Sequence, residues 1–405
     1  MVLVVIGIPT KAMLNSAKVM DNIKKAKRLG IEVSEAKINF EAVIKAKDRT
    51  VMSVVKGIQL LVESYGIEVI KGTGELVDKN KVQADGKELE TENIIIATGS
   101  EPIELPFLKF DHDKVIDSKD ALELKEVPET LAVIGGGVIG VELGTLYSKL
   151  GSKVTIIEAM PRILATEDKE ISETLKNILK RNSVDVLDNT KVESADVKDK
   201  VELKLADGNI ITADKVLVAV GRKPSINDEK LSKIGIEIEK GIKVNSKMRT
   251  SVDNIYAIGD VVNTPMLAHV AYAEAEVAAD NIMGKNREIN YNAVPNAIFT
   301  IPEIASVGIK EGAVGKFPFS ASGRAKTLAE IDGFVKVYAK DNKIVGACMI
   351  GPEVSEILGE ASLAISAGLT IDQIENTIHA HPTLSEAFFE AVKDLKGESG
   401  HLPKK

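Results

Sequence analysis

Cysteine is almost missing from this sequence: Cys348 is the only one in 405 residues. A single thiol excludes an internal disulfide, a paired-cysteine redox motif and any metal site built from several cysteines of this chain. Tryptophan is absent and aromatic residues amount to 4%, so the cores must rest on aliphatic side chains. Long apolar runs are lacking as well. Stretches such as Val2 to Ile8 and Val216 to Val220 fall far short of the roughly 18 to 20 residues that span a bilayer, and no membrane association is expected. The opening run Met1 to Ile6 has neither a basic flank nor a small-residue cleavage site, so it reads as a buried strand and not as a signal peptide. A cytoplasmic location follows from that reading. There is no basic excess, with 52 Lys+Arg against 60 Asp+Glu and no basic block. Clustered cations are what phosphate backbones require, so nucleic acid is not an expected partner.

What the chain does have is enough apolar residues, 44% of the total, for two or three domains at about 150 residues each. An internal repeat organises them. Asp85-Gly86, then the apolar run Ile94-Ile95-Ile96, then Ala97-Thr98-Gly99 recurs as Asp207-Gly208, Val216-Leu217-Val218 and Ala219-Val220-Gly221. Asp-Gly between β-prone runs predicts a tight hairpin with positive φ at both central residues. Each copy follows an apolar strand ending in glycine, Leu3 to Gly7 and Leu131 to Gly135. The spacing predicts an α/β protein with two Rossmann-like nucleotide-binding domains, the first incomplete, followed from about Ala293 by an α+β domain. The last helix is expected from Thr383 to about Leu395, with Leu384, Ala387, Phe388, Ala391, Val392 and Leu395 on one face.

Only the second half continues from its strand into a glycine loop, Gly135-Gly136-Gly137-Val138-Ile139-Gly140, and an amphipathic helix. In a GxGxxG turn the first glycine permits the tight bend, the second lets a pyrophosphate approach the backbone, and the third lets helix and strand pack closely. Glu158, ending the next strand, is spaced to accept hydrogen bonds from a ribose 2′-hydroxyl and would repel a 2′-phosphate. NAD is therefore expected over NADP.

These segments, together with Ile8-Pro9-Thr10-Lys11, Ala97-Thr98-Gly99-Ser100, Gly259-Asp260 and His379-Ala380-His381-Pro382-Thr383-Leu384-Ser385-Glu386, resemble the dihydrolipoamide dehydrogenase branch of the pyridine nucleotide-disulfide oxidoreductases. The resemblance runs almost end to end and in the same order. It implies an FAD-type domain over 1–110 and 225–292, an NAD domain over 111–224 and a dimerisation domain over 293–405. It also implies a homodimer, the cofactors FAD and NAD, and no metal. The implied substrate is dihydrolipoamide on a lipoyl domain of a 2-oxoacid dehydrogenase or glycine cleavage complex, oxidised through a disulfide and FAD to reduce NAD.

By the same resemblance His381 is the base and Glu386 its orienting carboxylate, although Thr383 to Glu386 also reads as a helix capping box. Val192 and Gly221 join the glycine loop and Glu158 in the NAD site. Lys11 and Glu142 are implied beside the flavin ring, and Gly74, Thr98 and Gly99 along the adenosine. Asp260 is implied at the ribityl chain, and Met266, Leu267, Ala268 and His269 at the helix start that meets the flavin. His379 reads as structural, and Cys348 as a buried, inert thiol.

The resemblance also marks what is missing. The family carries a redox cysteine pair just before Ile-Pro-Thr-Lys and a first glycine loop for FAD, but here Gly7 precedes Ile8 directly. Either the polypeptide lacks that segment, in which case the disulfide relay cannot run and FAD binds poorly, or the sequence as read omits it. A second, shorter gap is expected near Glu311-Gly312, where the family carries a helix. The competing reading is a truncated, catalytically silent NAD-binding or scaffold remnant.

Overall fold

The structure, a computed structural model, describes residues 6–403. The expected strand over Val2 to Gly7 lies mostly outside the described residues, and its last two residues are not extended. Ile6 and Gly7 form a π-type turn that runs straight into helix α1 (Ile8–Lys25). Met13, Leu14 and Ala17 are buried at a helical spacing, and Pro9 sits in the first turn, where a missing N–H costs nothing. Helix formation therefore extends back to Gly7. Contacts divide the chain into one unit of Met1–Pro9, Lys45–Ile103 and Gly221–Asn290 and a second of Thr10–Ile44, Glu104–Val220 and Tyr291–Lys405. Residues 10–44, placed by the sequence in the FAD-type domain, thus group with the second unit.

The first unit contains most of helix α2 (Phe40–Ser64) and an antiparallel ribbon of β1 (Gly74–Asp78), β2 (Lys81–Ala84) and β3 (Lys87–Glu90). Asp85 and Gly86 close the β2–β3 hairpin with φ of 49° and 76°, the geometry that matches strand twist. Strand β4 (Ile94–Ile96) pairs in parallel with β15 (Ile255–Ala257), and β5 (Ser100–Pro102) pairs with β14 (Arg222–Pro224). Helices α6 (Asp228–Lys233) and α7 (Ala268–Ile282) complete the unit. Ile94, Leu231, Ile242, Ile255 and Val261 form its core. Among the described residues β4 has no second parallel neighbour, in keeping with an incomplete nucleotide-binding domain.

In the second unit a fully parallel sheet runs in the order β6 (Val115–Ile116), β13 (Lys215–Val218), β7 (Thr130–Ile134), β8 (Lys153–Ile157) and β9 (Asp185–Leu187). Helices α3 (Ser118–Ala121), α4 (Val138–Leu150) and α5 (Lys169–Arg181) accompany it. The second copy of the ribbon is β10 (Val192–Val197), β11 (Val201–Leu205) and β12 (Ile210–Ala213). Its hairpin differs from the expected two-residue turn. Only Gly208 has positive φ, because the loop is widened to include Ala206 and Asn209, and Asp207 accepts the Asn209 N–H at 3.0 Å.

The chain ends in an antiparallel sheet of β16 (Asn296–Ile298), β17 (Glu303–Gly308), β20 (Lys343–Gly351), β19 (Phe334–Lys340) and β18 (Ala313–Pro318). Residues 309–312 alone link β17 to β18, where the resemblance placed a helix. Helices α8 (Gly323–Leu328), α9 (Val354–Ser366), α10 (Ile371–Glu375) and α11 (Glu386–Asp394) surround the sheet, and Phe317, Phe319 and Phe388 fill its core. The terminal helix starts later than its apolar pattern implied: Ser385 is the N-cap of α11, and Thr383 is engaged by the Ala380 carbonyl and Glu386 in the preceding loop. No helix among the described residues is long and apolar enough to cross a membrane.

The parallel and antiparallel sheets of this unit are cross-tied by charge. Glu167, buried, accepts from Asn296 at 2.9 Å, Ser306 at 3.1 Å and Lys310 at 2.7 Å. Asp168 accepts from Tyr338 at 2.7 Å and Lys336 at 3.0 Å, and Lys336 also reaches Glu170 at 2.8 Å. Burial raises the Asp168 and Glu170 pKa values, but these bonds outweigh it and hold both below their usual 3.8 and 4.5. Both groups bind protons more weakly folded than unfolded, so their contribution is complete above about pH 4.5 and is lost as pH falls through the depressed values. Lys336→Met should therefore lower the urea midpoint at pH 7 and lower it much less at pH 3, and an equal loss at both would contradict the role given to these carboxylates.

Candidate nucleotide and acid-base sites

The glycine loop lies between β7 and α4, and each glycine has its own reason. Gly135 has φ of 109°, and a Cβ there would lie 2.4 Å from the Ala219 carbonyl. A Cβ on Gly140 would lie 1.9 Å from the Gly135 carbonyl, whereas one on Gly137 would meet nothing within 4 Å. The first and third glycines are thus required for packing, and the second faces open space. Gly137 is also the N-cap of α4 and brings no side-chain cap, so the N–H groups of the first turn remain for an anion.

Glu158 turns back onto this loop. Its carboxylate accepts the Gly136 N–H and the Met160 N–H, each at 2.6 Å, and each oxygen keeps a further acceptor position. The pair of bonds fixes the carboxylate at the edge of the loop, where a ribose hydroxyl can use those positions. Val192, at the start of β10, has its side chain buried in the core. Gly221 belongs to the first unit, with φ of 128° and its carbonyl accepting the Ile103 N–H at 3.1 Å.

The residues expected around FAD are divided between the units. Lys11 and Glu142 meet in the second, at 3.1 Å. Glu142, buried, also accepts the Phe299 N–H at 2.7 Å, and the Lys11 ammonium lies 4.4 Å from the centre of the Phe299 ring. Phe299 carries no motif of its own in the sequence. In the first unit Gly74 and Thr98 line one apolar cavity of about 420 Å³ with Leu76, Ile96, Ile226 and Leu231. Gly99, with φ of 76°, leads into Ser100. The buried Asp260 accepts the Ser100 hydroxyl at 2.5 Å, and Arg222 donates to that same hydroxyl at 2.7 Å. Ser100 and Arg222 were also missed, since neither carries a motif by itself. Met266 precedes α7, Leu267 is its N-cap without a side-chain cap, and Ala268 and His269 are its first two residues.

Those residues of the first unit suit the sugar part of a flavin dinucleotide. The pyrophosphate is different, because it needs an N–H-lined turn after a strand, and Gly7 passes directly into α1. FAD therefore does not fit the described residues at its pyrophosphate, whereas NAD fits the second unit at its pyrophosphate and ribose.

The acid-base pair is complete. His381 Nδ1 lies 2.8 Å from Glu386 Oε1, and Glu386 Oε2 accepts the Thr383 N–H at 2.7 Å. The histidine side chain is 71% exposed and the glutamate 21%. The carboxylate faces His381, and the expected capping box is not made: α11 begins at Glu386 with Ser385 as its N-cap and no side-chain cap, and the Thr383 hydroxyl donates to the Ala380 carbonyl at 2.8 Å. Burial raises the Glu386 pKa, but the Thr383 N–H and His381 outweigh it and keep the carboxyl below its usual range. Cys348 sits in β20, fully buried, with its sulfur 3.7 Å from the Tyr338 hydroxyl. Burial pushes its thiol up to about 12, which leaves almost no thiolate at neutral pH. No group of His, Cys, Asp and Glu among the described residues could hold a metal ion.

The glycine geometry separates packing from binding. Gly140→Ala should destabilise the chain by about 1–3 kcal/mol in urea unfolding. Gly137→Ala should leave the midpoint unchanged and abolish NADH binding in a fluorescence titration; a destabilised Gly137→Ala variant, or one that binds NADH normally, would contradict this division.

Comparison with known proteins agrees with the geometry. Residues 2–275 match the pyridine nucleotide-disulphide oxidoreductase family model, and residues 294–392 match that family's dimerisation domain. A dihydrolipoyl dehydrogenase of Bacillus subtilis is 40% identical over 414 residues, covering 97% of this chain and 90% of the relative. The human mitochondrial dihydrolipoyl dehydrogenase is 40% identical over 95% of this chain and 81% of its own length. Among solved structures, LpdA of Mycobacterium tuberculosis superposes with a TM-score of 0.90 at 25% identity, covering 97% of this chain and 91% of that one. The flavoprotein disulfide reductase RclA of Escherichia coli gives 0.85 at 26% identity, covering 98% of this chain and 91% of its own. Coverage at this level does not support describing the chain as truncated. The chain belongs to the pyridine nucleotide-disulphide oxidoreductase family, on its dihydrolipoyl dehydrogenase side, and membership implies FAD and NAD as cofactors.

Proposed function

We propose that this chain is an NAD-dependent oxidoreductase of the dihydrolipoyl dehydrogenase type, acting on a dithiol. The observation that carries the reading is the His381–Glu386 pair, an exposed imidazole with an ionised carboxylate at 2.8 Å, in a chain that also has an NAD-type loop. With Nδ1–H donated to Glu386, the lone pair lies on Nε2. That nitrogen can take a proton from a dithiol, and the carboxylate stabilises the imidazolium that results. Glu386 in turn is held by the Thr383 N–H, so the pair is oriented before substrate arrives. NAD, when bound, supplies the hydride acceptor. The α4 N–H groups would hold its pyrophosphate, and Glu158 would hold its ribose and repel a 2′-phosphate.

FAD would meet Asp260, Gly74, Thr98, Gly99 and the start of α7 in the first unit, and would lack a turn for its pyrophosphate. Flavin is expected to be lost on gel filtration for that reason. The dimerisation-domain match supports a homodimer, and the relatives named dihydrolipoyl dehydrogenase support dihydrolipoamide as substrate, carried on a lipoyl domain of a 2-oxoacid dehydrogenase or glycine cleavage complex. A cytoplasmic location is part of the same proposal.

One observation favours a second reading. The only cysteine is buried with its thiol protonated, so this chain has no sulfur able to exchange with a substrate disulfide. It would then be an NAD-binding member of the family without a thiol relay of its own. NADH oxidation with lipoamide and added FAD separates the two. Turnover that falls about 100-fold or more in His381→Gln supports the first reading, and a chain that binds NADH but never turns lipoamide over refutes it in favour of the second.

A further inference from the structure

The loop that carries His381 has very little holding it. Over residues 376–382 every residue is exposed except His379, and Ile378 is 96% exposed. His379 has only 8% of its side chain exposed. Its ring stacks on Phe389 of α11 at 4.6 Å between centroids and 29° between planes. Its Nδ1 lies 3.0 Å from the Thr377 carbonyl and its Nε2 lies 2.7 Å from Glu360 Oε1 of α9.

Both ring nitrogens therefore face acceptors. The ring thus ties the loop to two helices, to α9 through Glu360 and to α11 through the Phe389 ring.

We propose that His379, stacked on Phe389 and paired with Glu360, is a positioning residue: it pegs the loop of residues 376–382 to α9 and α11 and thereby sets the place of His381. The geometry divides the labour between the two histidines. His381 is exposed and able to exchange a proton at Nε2, and His379 is enclosed, with both ring nitrogens in contact with the protein. This inference rests on reading His381 as the proton-handling residue, but its test does not use turnover.

The full chain, labelled with ¹⁵N-histidine, is compared with His379→Gln and Glu360→Gln. Amide exchange over residues 376–382 should rise about tenfold in His379→Gln and less in Glu360→Gln, with α9 and α11 unchanged, and the carboxylate-bonded N–H signal of His381 should weaken in His379→Gln. The Glu360 side chain is 34% exposed, so that variant keeps the test open if His379→Gln does not fold. Loop exchange and a His381 signal that stay at wild-type values in the variants would overturn the proposal. Loss of lipoamide turnover in His381→Gln addresses the function itself and is independent of these readouts.

Discussion

The second unit depends on the approach of α4 to the end of β7. Gly140 sits so close to the Gly135 carbonyl that a single added carbon would lie 1.9 Å from it. Because α4 can come this near, its first-turn N–H groups face the open space at Gly137, where a phosphate can enter. The same helix then presents Glu142 to Lys11 and Phe299, Tyr147 to the Ala121 carbonyl, and Lys149 to Asp21 at 2.5 Å. One backbone contact places a cofactor loop and three tertiary anchors together, and no side chain could be added at residue 140 without moving all of them.

Carboxylates do much of the remaining positioning, and in each case the protein surrounds the charge with donors. Glu158 takes two backbone N–H groups, Glu142 an ammonium and an N–H, Glu386 an imidazole and an N–H, and Glu167 three side-chain donors. A buried carboxylate left without donors would be strongly destabilising. These networks therefore fix geometry as much as they add stability.

Much of this was legible in the sequence. The glycine spacing announced the NAD-type loop, the repeat announced the two ribbons, and the order of motifs announced the family. Cys348 in an apolar strand read correctly as an inert thiol. Other features were not legible because they depend on which atoms meet. The sequence could not say whether Glu386 faces His381 or caps its helix; in the structure one oxygen meets His381 and the other takes the Thr383 N–H of the preceding loop, and the helix has no side-chain cap. Phe299, Ser100 and Arg222 carry no pattern of their own and acquire a place only through contacts with Glu142 and Asp260. The apolar run before Gly7 resembled a strand, yet its described end is helical, because the burial pattern of α1 continues back to it.

An NAD-type glycine loop and a carboxylate-held histidine stand in a chain whose own sulfur is closed off. On the proposed reading the glycine loop and Glu158 form an NAD-selective site within this chain. Isothermal titration of the purified, flavin-free chain with NAD⁺ and NADP⁺ tests that most directly. The account predicts binding of NAD⁺ at one per chain and binding of NADP⁺ weaker by about tenfold or more, ~1.4 kcal/mol, because the carboxylate meets a phosphate. Equal affinity for the two, or no heat of binding with NAD⁺, would contradict it.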